Sequence, residues 1–233
     1  MLKLSGEKKN IEVLDGNNKR AELEDIPLYV EEETGEELYL FSDLIKADER
    51  RIAKKYDISE YNIFELALLY ADVRQRKKAI RQKFRFNKML FYIWKKFEEE
   101  YGEDSLIFDK MGEARAGPIP IHLFDDIKDL NEKKYIEIYL VKDGKKIAGS
   151  KENWEQLKHT ASIECILTRK GHRLAQELWK ELDERMREII VEVKENLMYI
   201  DTEVLMEKVH KEYPAYRKNY TEPDKETFEE FLW

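Results

Sequence analysis

A single cysteine, Cys165, stands in the whole chain, so no intramolecular disulfide can form. Its setting in "SIECILT" reads as a buried strand, and a catalytic thiol there would need a base that the sequence does not supply, which makes it a core residue. Long apolar runs are also missing: none approaches the roughly 18 residues needed to cross a bilayer. The opening "MLKLSGEKKN" lacks the apolar stretch of a signal peptide, so no membrane association and a cytoplasmic location are expected. The signatures of common catalysts are absent too, with no Gly-rich phosphate loop, no G-x-S-x-G and no H-E-x-x-H. Four histidines, His122, His159, His172 and His210, are scattered over separate segments. Acidic pairs such as Asp125 with Asp126, or Glu31 with Glu32, suit a divalent cation, but charged helix faces and edge strands produce such pairs routinely. The expectation is a protein that is not an enzyme, with no catalytic residues, no cofactor and no metal.

What the chain has in quantity is charge. Of its 233 residues 39 % are charged, with a formal net charge of −8. Heavy use of Glu and Lys with little Gln and Cys is the composition of thermophile proteins, in which surface ion-pair networks are favoured. The length is enough for one large or two small domains with a real core.

Residues 1–45 contain short β-type runs, "IEVLD", "LYVEEE" and "EELYLF", broken by turn residues at Asp15–Asn18 and at Thr34–Gly35. They read as a small acidic β module. Residues 46–82 turn helical, with Asp57 or Ser59 as an N-cap before Ile63, Leu66, Ala67 and Tyr70 at helical spacing, and read as a helical connector. A second helix covers "KFRFNKMLFYIWKKFEEEYG", with Phe86, Leu90, Ile93, Trp94 and Phe97 on one stripe and Gly102 past its end. Pro118 and Pro120 are expected to open a helix over "IHLFDDIKDLNEKK", followed by a hairpin turning on Asp143-Gly144. After the strand "SIECILT", Thr168 caps a pattern running from Arg169 to about Leu197, expected as one long helix. Leu178, Leu182, Met186, Ile189, Val193 and Leu197 step along it at helical spacing, as a seam for a second copy of the chain in a homodimer or as the domain's own core. A short helix, "TEVLMEKVHKEY", a Pro214 stop and the acidic tail "TEPDKETFEEFLW" close the chain.

The expected fold is therefore α+β: a small N-terminal β module, a helical connector, a winged-helix-like domain over 83–168, and a long C-terminal helix with a helical tail over 169–233. Helix, helix, hairpin with a loop, strand, helix is the element order of a winged helix, in which the helix before the hairpin reads DNA and the hairpin is the wing. The segments "NKMLFYIW", "GPIPIHLFDDIKDLNEKKYIEI", "ILTRKGHRLAQELW" and "LMEKVHKEYPAYRKN" resemble winged-helix regulators and the Panacea and YwgA-like domains of prokaryotic antitoxins, over about residues 84–220. The stretch "IPLYVEEETGEELY" is similar in shape to the zinc knuckle of MqsA-type antitoxins, with Glu31 and Thr34 about where that knuckle carries cysteines. Without those thiolates the tetrahedral site cannot be built, so no metal is carried over.

Two charge blocks stand out. "VRQRKKAIRQKFRFNK", residues 73–88, carries eight Lys or Arg and no acid, whereas residues 22–37 carry a dense acidic run without Lys or Arg. The basic block offers Arg74, Arg76, Lys77, Lys78, Arg81, Lys83 and Arg85 for a partner or a nucleic acid; the wing adds Lys142, Lys145 and Lys146, and the following helix Arg169, Lys170 and Arg173. Alternatively, the two blocks neutralise one another. The reader helix carries Asp125, Asp126, Asp129 and Glu132, which would repel a phosphate backbone. What the resemblance implies is an antitoxin-like or regulatory adaptor that binds a protein partner, a toxin for example. The alternative is a transcriptional regulator that binds duplex DNA, and a third reading is an accessory protein that has lost both activities.

Overall fold

The computed structural model describes residues 2–14, 20–72, 79–102, 111–112, 118–120, 122–142, 145–158 and 162–214. The architecture is α+β. Strands β1 (Leu2–Leu14), β2 (Arg20–Glu31) and β3 (Glu37–Leu38) form an antiparallel sheet with β2 in the centre. Helices α1 (Phe41–Tyr56) and α2 (Glu60–Tyr70) follow, then the short strand β4 (Ile80–Arg81) and helix α3 (Lys83–Tyr101). A two-residue ribbon, β5 (Met111–Gly112) with β6 (Ile119–Pro120), precedes α4 (Leu123–Glu132). Then come β7 (Ile136–Lys142), β8 (Lys145–Ala148), a 3₁₀ turn leading into α5 (Trp154–Lys158), β9 (Ile163–Leu167), and helices α6 (Arg169–Glu181), α7 (Glu184–Leu197) and α8 (Thr202–Glu212). The second sheet has the order β4-β9-β7-β8.

Local chemistry explains most of these boundaries. Ser59 caps α2, accepting from the Tyr61 amide while its own amide donates to Asn62. Thr168 caps α6 by accepting from the Gly171 amide at 3.0 Å. Lys142 pairs with Lys145 where β7 and β8 run antiparallel, as expected for a hairpin; the turn residues Asp143 and Gly144 lie outside the described ones.

Several expectations need correction. Helix α1 starts at Phe41, before the helical pattern becomes evident, which shortens the third strand to Glu37–Leu38. The helical connector does not run to residue 82, because Ile80 and Arg81 pair with Cys165 and Glu164 as an edge strand. Pro120 does not open a helix: it pairs with Met111 in the ribbon, where a strand edge tolerates its missing N–H, and α4 begins only at Leu123. The single long helix is two. Leu182 is extended (φ −66°, ψ 142°), and the Asp183 carboxylate accepts from the Met186 amide at 2.8 Å, starting α7 afresh. The candidate dimer seam, Leu178, Leu182, Met186, Ile189, Val193 and Leu197, is buried in the core of one chain, which leaves those side chains no surface for a second copy.

That core gathers α2, α3, α4, the inner faces of β7 and β9, and α6 to α8. A second, smaller cluster lies under the first sheet, where Leu23 and Ile26 meet Ala47 of α1. Helix α1 serves both, since its Ile52 and Ala53 belong to the main core. Glu181 at the end of α6 locks this joint. Its buried carboxylate accepts from Arg51 at 3.0 Å, from Tyr56 at 3.1 Å, and from Lys55. Burial opposes the charge, yet the hydrogen bonds from Lys55 and Arg51 hold the Glu181 carboxyl below its ordinary range.

Candidate functional site

The basic block does not meet the acidic one among the described residues. Glu37 pairs with Lys9 at 2.6 Å and Glu24 with Lys54 at 3.0 Å, while Glu22 accepts from Asn10 and Glu31 from Thr34. The acidic run is thus served by its own sheet and by α1. The described basic residues are spent elsewhere. Lys83 is buried with its ammonium 4.2 Å from the centre of the Phe124 ring. Lys88 is buried and donates to the Pro118 carbonyl at 2.9 Å. Arg85 donates to the carbonyls of Leu197 and Met198, capping the C-terminal end of α7; burial lowers its pKa, with Asp201 acting against that. Lys83 and Arg85 are therefore structural cations rather than free partner contacts.

Arg81 differs. Its side chain is 77 % exposed, and its Nε lies 3.1 Å from Glu164, a carboxylate with 4 % exposure. Lys146 reaches the same carboxylate from β8, across Tyr139, whose ring centre is 5.7 Å from the ammonium. One buried acid thus anchors two cations on the outer face of the second sheet, and the pair carries a net positive charge to solvent.

Beside Arg81 opens a groove of about 720 Å³. Ala79, Arg81, Gln82 and Arg85 form one side, Val141, Ser162 and Ile163 the sheet end, and Met198 with the exposed Tyr199 the other side. Gln82 lines it with a positive φ of 71°, a backbone conformation that is costly for any residue but glycine. Two contacts hold it there: its amide donates to the Ile163 carbonyl at 2.7 Å, and its side-chain oxygen accepts from the Thr202 hydroxyl at 2.6 Å.

The Val141 amide donates to the Ser162 carbonyl at 2.8 Å, so the C-terminal end of β7 borders the groove. Exposed Lys142 and Lys145 therefore join Arg81, Arg85 and Lys146 at this end of the sheet. Arg169, Lys170 and Arg173 do not. They follow Leu167, at the opposite end of a five-residue strand, roughly 13 Å away. There Lys170 donates to the Lys133 carbonyl and covers the Tyr135 ring at 4.2 Å. Arg74, Arg76, Lys77 and Lys78 lie outside the described residues.

The charge run in the sequence points to Arg81 but not to Gln82, Met198, Tyr199 or Glu164. For Glu164 a signal exists, since an acid inside the apolar "SIECILT" has to find cations once buried. Cys165 next to it is fully buried, and burial pushes its thiol up to about 12, so it carries no thiolate at neutral pH. His122 stacks near Tyr61, His172 meets Tyr70 edge-on, and His210 is buried in α8, so these three stay in separate places; His159 lies outside the described residues. Among the described residues no group of three or more His, Cys, Asp or Glu is placed to hold a metal, and no helix is long and apolar enough to cross a membrane. Compared with known proteins, the chain matches no protein-family model, no curated protein and no solved structure.

Proposed function

We propose that this chain is a binding protein, an antitoxin-like or regulatory adaptor, that captures an acidic segment of a protein partner in the groove beside Arg81. The observation that carries this reading is the exposed side chain of Arg81, lining a groove that also has apolar walls, with the exposed Lys142 following the lining residue Val141 in the chain. Cations over Val141, Met198 and Tyr199 suit a peptide that alternates carboxylates with aromatic or aliphatic anchors.

The rival reading, a winged-helix regulator of transcription, draws on the element order α3, α4, β7–β8, β9, α6. Against it stands α4, whose exposed or half-exposed residues include Asp125, Asp129 and Glu132. A helix so charged meets a phosphate backbone with repulsion, whereas the cations lie at the hairpin and the groove.

The two readings separate in one fluorescence-anisotropy experiment with the full chain. Labelled probes are a random DNA duplex and a synthetic peptide alternating Glu with Phe, each at low and at physiological salt. The adaptor reading expects the peptide to bind and Arg81→Glu with Lys142→Glu to abolish that binding. Duplex binding that falls steeply with salt, without peptide binding, would replace it with the regulator.

A further inference from the structure

The sequence itself contains a segment with the chemistry the groove suits. Residues 222–233, "EPDKETFEEFLW", hold Glu222, Asp224, Glu226, Glu229 and Glu230 against the single Lys225, interleaved with Phe228, Phe231, Leu232 and Trp233. This segment lies outside the described residues. We infer that it is an internal competitor, docking in the groove beside Arg81 in the same chain and withholding that groove from a partner until displaced. The inference rests on the acidic-segment reading of the groove.

Three observations support it. Charge is complementary: the segment carries five carboxylates, and the groove is lined by Arg81 and Arg85, with the exposed Lys142 next in the chain to the lining residue Val141. The apolar side chains match as well, because Val141, Met198 and Tyr199 offer walls for the tail's aromatic residues. Reach is sufficient. Helix α8 starts at the groove, where Thr202 donates to Gln82, and its 11 residues carry the chain about 16 Å away. The eight steps from Pro214 to Glu222 span up to about 27 Å when extended, enough to return.

A tethered segment sees its groove at millimolar effective concentration, so even a weak contact suppresses an added peptide by roughly tenfold. The test uses the full chain and a fluorescein-labelled synthetic peptide of residues 221–233, read by anisotropy. Three proteins are compared: the native sequence; a tail variant with Glu222→Gln, Asp224→Asn, Glu226→Gln, Glu229→Gln and Glu230→Gln; and that tail variant with Arg81→Gln and Lys142→Gln added. The expected result is that the tail variant binds the peptide about tenfold more tightly than the native chain, and that the groove substitutions remove the gain. Equal affinity of the native chain and the tail variant would overturn the internal competitor while leaving the groove as an acidic-segment site. If the tail variant binds nothing, the groove reading itself fails. A difference that disappears on dilution would place the tail on a second copy and likewise overturn the contact within one chain.

Discussion

Lys194 donates its ammonium to the Leu68 carbonyl at 2.7 Å, so a cation buried in α7 caps the last turn of α2. The carbonyls of Leu69 and Ala71 accept from the same nitrogen, at 3.2 and 2.8 Å. These are the carbonyls that a helix end leaves without partners, and the negative end of the helix dipole favours the charge that satisfies them.

Burial lowers the pKa of Lys194 from its ordinary 10.5 to about 7, with Asp72 opposing, and burial does the same to Lys88. A lysine whose folded pKa is depressed binds fewer protons folded than unfolded between those two values. Stability therefore rises with pH across that interval. Above about 10 the trend reverses, because Tyr92 and Tyr101, raised by burial and by neighbouring carboxylates, resist ionisation in the folded state only. The urea midpoint is expected to increase from about pH 7 to about 9. Lys194→Met should cost about 2 kcal/mol at about pH 7 through its orphaned carbonyls and should flatten this rise. A profile as steep as the native one would assign the effect to other groups.

Glu181→Ala is expected to destabilise by about 3 kcal/mol in urea titration, since Arg51 would be left half-buried with Asp48 alone and Lys55 and Tyr56 would lose their acceptor. Its folded pKa is depressed, so its contribution is present above the ordinary carboxylate value of 4.5 and is lost as pH falls through the folded value. Hydrogen exchange should show α1 opening first in the variant.

Gly171 permits the first turn of α6 to lie against the start of β7. A Cβ there would stand 1.7 Å from the Tyr135 carbonyl oxygen. Backbone atoms cannot step aside as a flexible side chain can, so Gly171→Ala is expected to cost more than about 3 kcal/mol, measured by thermal unfolding. The exposed Gln176→Ala in the same helix is the control, and it should leave stability unchanged within about 0.5 kcal/mol.

Asp57 ends α1 in the left-handed conformation, φ 53° and ψ 52°. Glycine adopts that conformation without a Cβ penalty, so Asp57→Gly should stabilise by up to about 1 kcal/mol, while Asp57→Val should destabilise. The two midpoints, compared in one denaturant series, give the sign directly.

Caps and the β7–β8 pairing are legible in the sequence because Ser59, Thr168 and the Lys142–Lys145 pair act within a few residues of themselves. The break at Asp183 is hidden by its surroundings: Leu178, Leu182 and Met186 keep a spacing of four across it, and apolar periodicity cannot register one extended residue. The site is half legible. A run of cations announces charge, but β4 turning into α3 at Gln82 sends Arg81 outward, Lys83 under Phe124 and Arg85 to the end of α7. Which lysine or arginine stays in water is decided by that junction, a tertiary fact that composition does not carry.

Helix α1, with Ala47 under the first sheet and Ile52 and Ala53 in the main core, has a consequence for modularity. A boundary drawn between residues 45 and 46 would cut inside its second turn. Any exchange of the N-terminal sheet for another, in the laboratory or in evolution, has to bring a helix that fits both sides, so this sheet travels with α1 or does not travel at all.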